Sequence, residues 1–321
     1  MLIAIIVAAS LFLIWVLMNF KTSRPDGTLI KRVHPYRVML GHILPKRNDA
    51  CVYFDVYARA DKLLEYIAEA KKRFHVDVTY CLVAACGVGL AASPRMNRFV
   101  AGRRLYQRND RVVTFSAKRQ RLNRKAKLTA LKTVFREGES FEALCTRIKA
   151  ELTEERSDKT TSTDKEMNLL TRIPRAVLVR AVRLAMWLDY HNLLPAWFIK
   201  GEGMYASIFV ANLGSLGMDA GFHHLYDWGN CPLFMMVGKI EDRPVVEDGQ
   251  VVVRKMMHIR WTYDERIDDA LNSKYGMDSV TRVLEDPFRY LGCLAEDGSD
   301  AYALDERGQS MREEADQEGQ A

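Results

Sequence analysis

The 321-residue chain has no Cys-x-x-Cys pair, no glycine-rich phosphate-binding loop, no dinucleotide fingerprint and no internal repeat. Its six cysteines (Cys51, Cys81, Cys86, Cys145, Cys231 and Cys293) lie mostly among apolar neighbours. That spacing argues against a zinc site and predicts reduced, buried thiols in a cytosolic domain. Without a phosphate loop or a fingerprint, no motif points to a nucleotide-binding fold. Charge is missing from the start of the chain: "MLIAIIVAASLFLIWVLMNF" contains no ionisable side chain in 20 residues. At 1.5 Å per residue it would be roughly 30 Å long as a helix, the thickness of a bilayer's hydrocarbon core. No basic segment precedes it and no small-x-small site ends it, so an uncleaved anchor is expected rather than a signal peptide. Lys21, Arg24, Lys31 and Arg32 follow it. Positive charge on that side predicts a single-pass protein of the cell membrane with its globular part in the cytoplasm.

With 48% apolar residues the remainder can build a full core. Residues 21–33 read as a juxtamembrane linker with a turn at Pro25-Asp26-Gly27. Residues 51–57 alternate as a strand and lead into a helix over 60–73, and "DVTYCLVAACGVGLAAS" is an apolar helix stopped by Ser93-Pro94. A hairpin is expected around Asn109-Asp110, a helix over "SFEALCTRIKAELTEE" and a polar connection over "RSDKTTSTDKE". Residues 173–200, strongly apolar but interrupted by Arg175, Arg180 and Arg183, suit core helices or an interfacial helix with Trp187 and Trp197. Strands then follow, including a hairpin whose Asp248-Gly249 is a strong turn signal. A last helix covers about 271–286, and residues 293–321, acidic and polar, read as a disordered tail. Mixed helices and strands without a strict βαβ rhythm place the fold in the α/β or α+β class.

The net charge of +6 is uneven: ten Lys/Arg and one acid lie between Arg103 and Lys127. Only Tyr106 and Phe115 are interleaved, and no nucleic-acid motif is present, so a nucleic-acid partner is not expected. A solvated face, or binding of phosphate groups or an anionic membrane, fits this stretch.

The stretch "IRWTYDERIDDAL", 259–271, runs a strand-like alternation into Asp264, Glu265, Asp268 and Asp269 around Arg266. It could be a solvated turn or the rim of an active site. Together with "YASIFVANLGSLGMDAG", "MMVGKIEDRPVVEDGQVVVRKMM" and "VLEDP", it resembles the catalytic domain of dihydrolipoyl acyltransferases of 2-oxoacid dehydrogenase complexes, whose fold chloramphenicol acetyltransferase shares. The resemblance extends upstream through "HPYRVM" and "SPRMNRFVAGRRLYQRND", and it implies an acyltransferase-like domain over 34–292 with a mixed sheet. It also implies a homotrimer with its cleft between subunits. A coenzyme A thioester is implied as co-substrate and a small molecule as acyl acceptor, with no bound cofactor and no metal.

The family signature is Asp-His-Arg-x-x-Asp-Gly, its histidine serving as general base. Asp264, Arg266 and Asp269 fall on the two Asp and the Arg, whereas Glu265 replaces the histidine and Ala270 the glycine. The oxyanion hydroxyl usually lies just before the Asn-Leu-Gly turn; here that position is Ala211, next to Asn212, and the nearest hydroxyl is Ser215. Arg37 falls on the family's N-terminal arginine, which pairs with the signature Asp. An ordinary Glu is about two pKa units less basic than His, so it serves as a base only if desolvated. His223 and His224, beside Asp227, are alternative bases that could instead pack or cap; His258 is expected to be structural. The candidate residues are therefore Glu265, Asp269, Arg37, His223, His224, Asn212 and Ser215. The reading is an acyltransferase with a non-standard base, or a catalytically inactive trimeric scaffold of the same fold.

Overall fold

The computed structural model describes residues 1–118, 128–156 and 172–318. Two sheets form. The larger has six strands in the order β2-β9-β8-β7-β5-β6, comprising β2 (Cys51–Arg59), β5 (Val112–Lys118), β6 (Leu128–Val134), β7 (Ile208–Asn212), β8 (Leu233–Glu247) and β9 (Gln250–Asp264). Its β5–β7 and β7–β8 pairs are parallel and the rest antiparallel, so the sheet is mixed. The smaller sheet joins β1 (Gly27–Leu29), β4 (Arg104–Arg108) and β3 (Arg98–Ala101).

Period-2 alternation on β9 explains the layering. Met257, Ile259, Trp261 and Tyr263 point to one face, where they meet Val113, Val210, Met235 and Val237 in the main core. Helices α3 (Asp61–Ala70), α4 (Val78–Ala92), α5 (Phe141–Arg156) and the helix Ala270–Glu285 supply the other half of that core. α4 starts where the Asp77 side chain accepts the Thr79 and Tyr80 amides, an N-cap. It is apolar all round because it is buried all round. On the sheet's opposite face Phe209, Ala211, Phe234 and Met236 form a second cluster under the 213–232 loop.

The β8–β9 hairpin turns at Asp248-Gly249, with φ of 50° and 76°, as expected. The other predicted hairpin is displaced. β3 and β4 turn at Gly102-Arg103, and beyond Asn109-Asp110 the chain changes sheets. Residues 21–33 are more than a linker, since β1 pairs with β4 and completes the small sheet. Neither is the C-terminus a free tail. Leu304–Glu318 is a helix burying Leu304, Met311 and Ala315, and its Gly308 faces Ala91 and the Val88 carbonyl of α4, where a Cβ would come within 2.5 Å. Three apolar residues and one glycine at helical spacing suffice to dock an otherwise acidic segment.

The helix Arg175–Tyr190 departs from the core reading, because none of its residues is buried. Val177, Val182, Leu184, Met186 and Trp187 are exposed along it. α1 (Leu2–Phe20) is long and apolar enough to cross a membrane, with Ile5, Phe12, Trp15 and Leu17 exposed. The polar connection expected over 156–166 and residues 119–127 of the basic stretch fall almost wholly outside the described residues.

Candidate active site

β9 ends at Asp264, and the next five residues distribute their charges to different tasks. The Asp264 carboxylate is completely buried and accepts Arg266 Nε and Nη2, both at 2.8 Å, in a bidentate pair. Arg266 sends Nη1 to the Leu44 carbonyl at 2.9 Å. Burial works against the Arg266 cation, but the hydrogen bonds and charge of Asp264 prevail and raise its pKa. A second buried arginine, Arg47, stands with Nε 3.8 Å from Asp264, too far for a hydrogen bond. Burial depresses its pKa, Asp264 opposes this, and the Arg266 charge adds to the depression.

Asp268 is a hub for three arginines: Arg98 at 2.9 Å, Arg95 at 3.3 Å and Arg37 at 3.7 Å. Arg37 thus leans on Asp268 rather than on Asp264, and its Nη1 donates to the Glu265 carbonyl at 3.1 Å. Asp269 caps the helix Ala270–Glu285, accepting the Asn272 amide at 2.9 Å. That amide hydrogen bond is the largest influence holding its pKa down. Three of the four carboxylates are therefore committed to structure. The fourth, Glu265, is half-buried, and its side chain forms no hydrogen bond or ion pair among the described residues.

Residues 202–291 match the family model of 2-oxoacid dehydrogenases acyltransferase (catalytic domain). That match takes in 90 of the 321 residues, so the sequence likeness to those acyltransferases is to the C-terminal part of the chain. It is 47% identical over 51 residues to the dihydrolipoyllysine-residue succinyltransferase component of the 2-oxoglutarate dehydrogenase complex of Cupriavidus necator, covering 16% of this chain and 12% of that protein. It is 40% identical over 60 residues to the lipoamide acyltransferase component of the branched-chain alpha-keto acid dehydrogenase complex of Pseudomonas putida, covering 18% and 14%. The likeness to these relatives is therefore confined to a short part of their length.

Solved structures extend the fold over most of the chain. A probable dihydrolipoamide acetyltransferase from Listeria monocytogenes superposes with a TM-score of 0.53 at 14% identity, covering 88% of this chain and 99% of that one. A chloramphenicol acetyltransferase gives 0.51 at 9% identity, covering 80% and 99%. At such identities the likeness establishes the fold.

The other positions of the acyltransferase pattern lie elsewhere on the sheet. Ala211 on β7 pairs with Met236, which pairs with Arg260 on β9, and Glu265 is five residues past Arg260. At about 3.3 Å per residue and about 4.8 Å per strand, Glu265 and the Ala211 position are roughly 19 Å apart within one chain. Asn212 and Ser215 build the turn after β7. Asn212 Nδ2 donates to Thr79 Oγ1 at 3.1 Å, its side-chain oxygen accepts the Ser215 amide, and Ser215 Oγ donates to the Asn212 carbonyl at 2.8 Å.

His223 and His224 sit in the loop over β8 and β9. The His223 ring stacks on Phe234 at 4.0 Å, and each histidine's Nδ1 contacts a backbone carbonyl. Asp227 takes the Arg47 amide at 3.2 Å instead of orienting either imidazole. The histidine that carboxylates do orient is His258, with Nδ1 3.0 Å from Asp219 and Nε2 2.9 Å from Asp55. Both ring nitrogens thus face carboxylate oxygens. Sequence reading placed His258 among structural residues but could not name its partners, which are 203 and 39 residues away in the chain.

Proposed function

We propose that this protein is a membrane-anchored acyltransferase that moves an acyl group from a coenzyme A thioester to a small acceptor, with Glu265 as its base. The carrying observation is the division of labour after β9. The Asp264–Arg266 pair and the Asp269 cap hold the loop in place, and Glu265 alone keeps its carboxylate free. In this reading Glu265 takes the proton from the acceptor's thiol or hydroxyl as that atom attacks the thioester carbonyl. The tetrahedral intermediate then collapses, the C–S bond to coenzyme A breaks, and the departing sulfur recovers the proton from Glu265.

Because Glu265 and the Ala211 turn are far apart in one chain, the cleft is proposed to join Glu265 of one protomer to the Asn212 turn of another in a homotrimer. α1 is proposed to anchor the globular part to the cytoplasmic side of the cell membrane.

A specific observation favours a second reading, an inactive trimeric scaffold. Ala211 offers no hydroxyl, and the Asn212 and Ser215 polar groups are occupied by one another and by Thr79. The test is chromatographic detection of free coenzyme A and S-acyl-dihydrolipoamide formed by the full chain from acetyl- or succinyl-coenzyme A, with dihydrolipoamide as acceptor. Turnover that Glu265→Gln abolishes supports the enzyme. No turnover with either donor, in wild type or in the Glu265→His/Ala211→Ser variant, supports the scaffold.

A further inference from the structure

The proposed acyl transfer assigns no role to Arg103 or Arg104. Arg103 and Arg104 line a cavity of about 220 Å³ together with Lys31, Arg37 and Arg266. The rest of its lining is glycine and apolar side chains such as Leu29, Val38 and Leu105, and it contains no carboxylate. Asp264 neutralises Arg266, and Asp268 stands 3.7 Å from Arg37. Lys31, Arg103 and Arg104 form no ion pair among the described residues, so the cavity holds unbalanced positive charge beside apolar walls.

Its position is fixed by hydrogen bonds to the end of α1. Arg104 Nη2 donates to the Asn19 carbonyl in the last turn of that helix. Asn192 Nδ2 donates to the Lys21 carbonyl at 2.9 Å, and Arg24 bridges Asp26, Asp189 and Asn192. The exit of α1, the β3–β4 turn and the end of the unburied helix Arg175–Tyr190 thus form one corner. That helix carries exposed Val177, Leu184 and Trp187 beside Arg180 and Arg183, a composition suited to a membrane interface. With α1 across a bilayer, the cavity opens at the depth of the headgroups. Its volume is below the roughly 300 Å³ of a drug-sized site but accommodates a phosphate and a glycerol unit.

We infer that this cavity binds the phosphate of an anionic phospholipid, the cations taking the phosphate and the apolar wall the start of the acyl chains. The lipid source rests on the reading of α1 as a membrane helix. The full chain, in neutral detergent, is titrated by calorimetry with dihexanoylphosphatidylglycerol, dihexanoylphosphatidylcholine and inorganic phosphate. Saturable binding of one phosphatidylglycerol per chain is expected, with phosphatidylcholine at least about tenfold weaker. Inorganic phosphate should compete only weakly. Replacing Lys31 by Gln and Arg103 by Asn should weaken phosphatidylglycerol about thirty-fold and leave phosphatidylcholine unchanged. Asn is chosen because Arg103 has φ of 62°, which Asn tolerates. Lys31→Gln alone, at an exposed site, should still cost about fivefold. Equal binding of the two lipids, or an unchanged affinity in the variants, overturns the site. Inorganic phosphate binding as tightly as phosphatidylglycerol overturns the lipid assignment. The titration needs neither turnover nor a bilayer, so its failure leaves the acyl-transfer reading standing.

Discussion

Replacing Asp264 by Asn should destabilise the fold far more than replacing its neighbour Glu265 by Gln. The Asp264 side chain is fully buried, accepts two guanidinium hydrogen bonds and the Arg266 amide at 3.1 Å, and faces Arg47 as well. An Asn keeps the shape but removes the charge that offsets two buried cations, and its amide donor points at another donor. Breaking one side of a buried ion pair costs about 3–5 kcal/mol, because the remaining charge stays desolvated. Glu265 is half-buried without a side-chain partner among the described residues, so Gln there should stay within about 0.5 kcal/mol. Urea unfolding of the full chain in detergent, followed by near-ultraviolet circular dichroism, measures both. The Asp264→Asn midpoint should fall sharply with an unchanged slope. Comparable losses in the two variants, or less than about 1 kcal/mol for Asp264→Asn, would refute this assignment of structural and free carboxylates.

Lys132 donates to the Ile199 and Glu202 carbonyls at 2.7 and 3.0 Å, and burial, with a smaller contribution from Arg108, lowers its pKa to about 8. Its charged form is penalised in the folded state, so wild type should gain up to about 3 kcal/mol relative to Lys132→Met as pH rises from 8 to 10.5. Chemical unfolding of both proteins across that range tests the sign, and a falling difference would contradict it. The thiols of Cys81, Cys86, Cys145, Cys231 and Cys293 are buried, and burial raises the pKa of each, so native protein should react with thiol reagents first at half-buried Cys51. Peptide mapping after timed alkylation reads this order directly. Gly229→Ala should cost about 2 kcal/mol or more in thermal unfolding, since Gly229 has φ of 73° and an added Cβ would lie 2.5 Å from Met204.

Elements whose residue pattern matches their surroundings were legible from the residues alone. α4 reads as a continuous apolar helix and is one, because every side of it meets core. The alternation of β9 and the Asp248-Gly249 turn were legible for the same reason, each being a local rule with a local signal. The segment after β9 was recognisable by its residues and their spacing. What those charges do was not legible, since four carboxylates around one arginine allow many pairings at equal sequence distance. It took the folded chain to show that Asp268 collects Arg37, Arg95 and Arg98, that Asp264 takes Arg266, and that Asp269 caps a helix. The fold also settled the fate of one segment that composition misread and of another that composition left open. The acidic C-terminus docks through four positions at helical spacing, while the apolar helix Arg175–Tyr190 stays outside the core. Composition sets how much apolar surface a segment offers, but burial depends on whether another surface of matching shape lies opposite. That partner is set by the path of the whole chain.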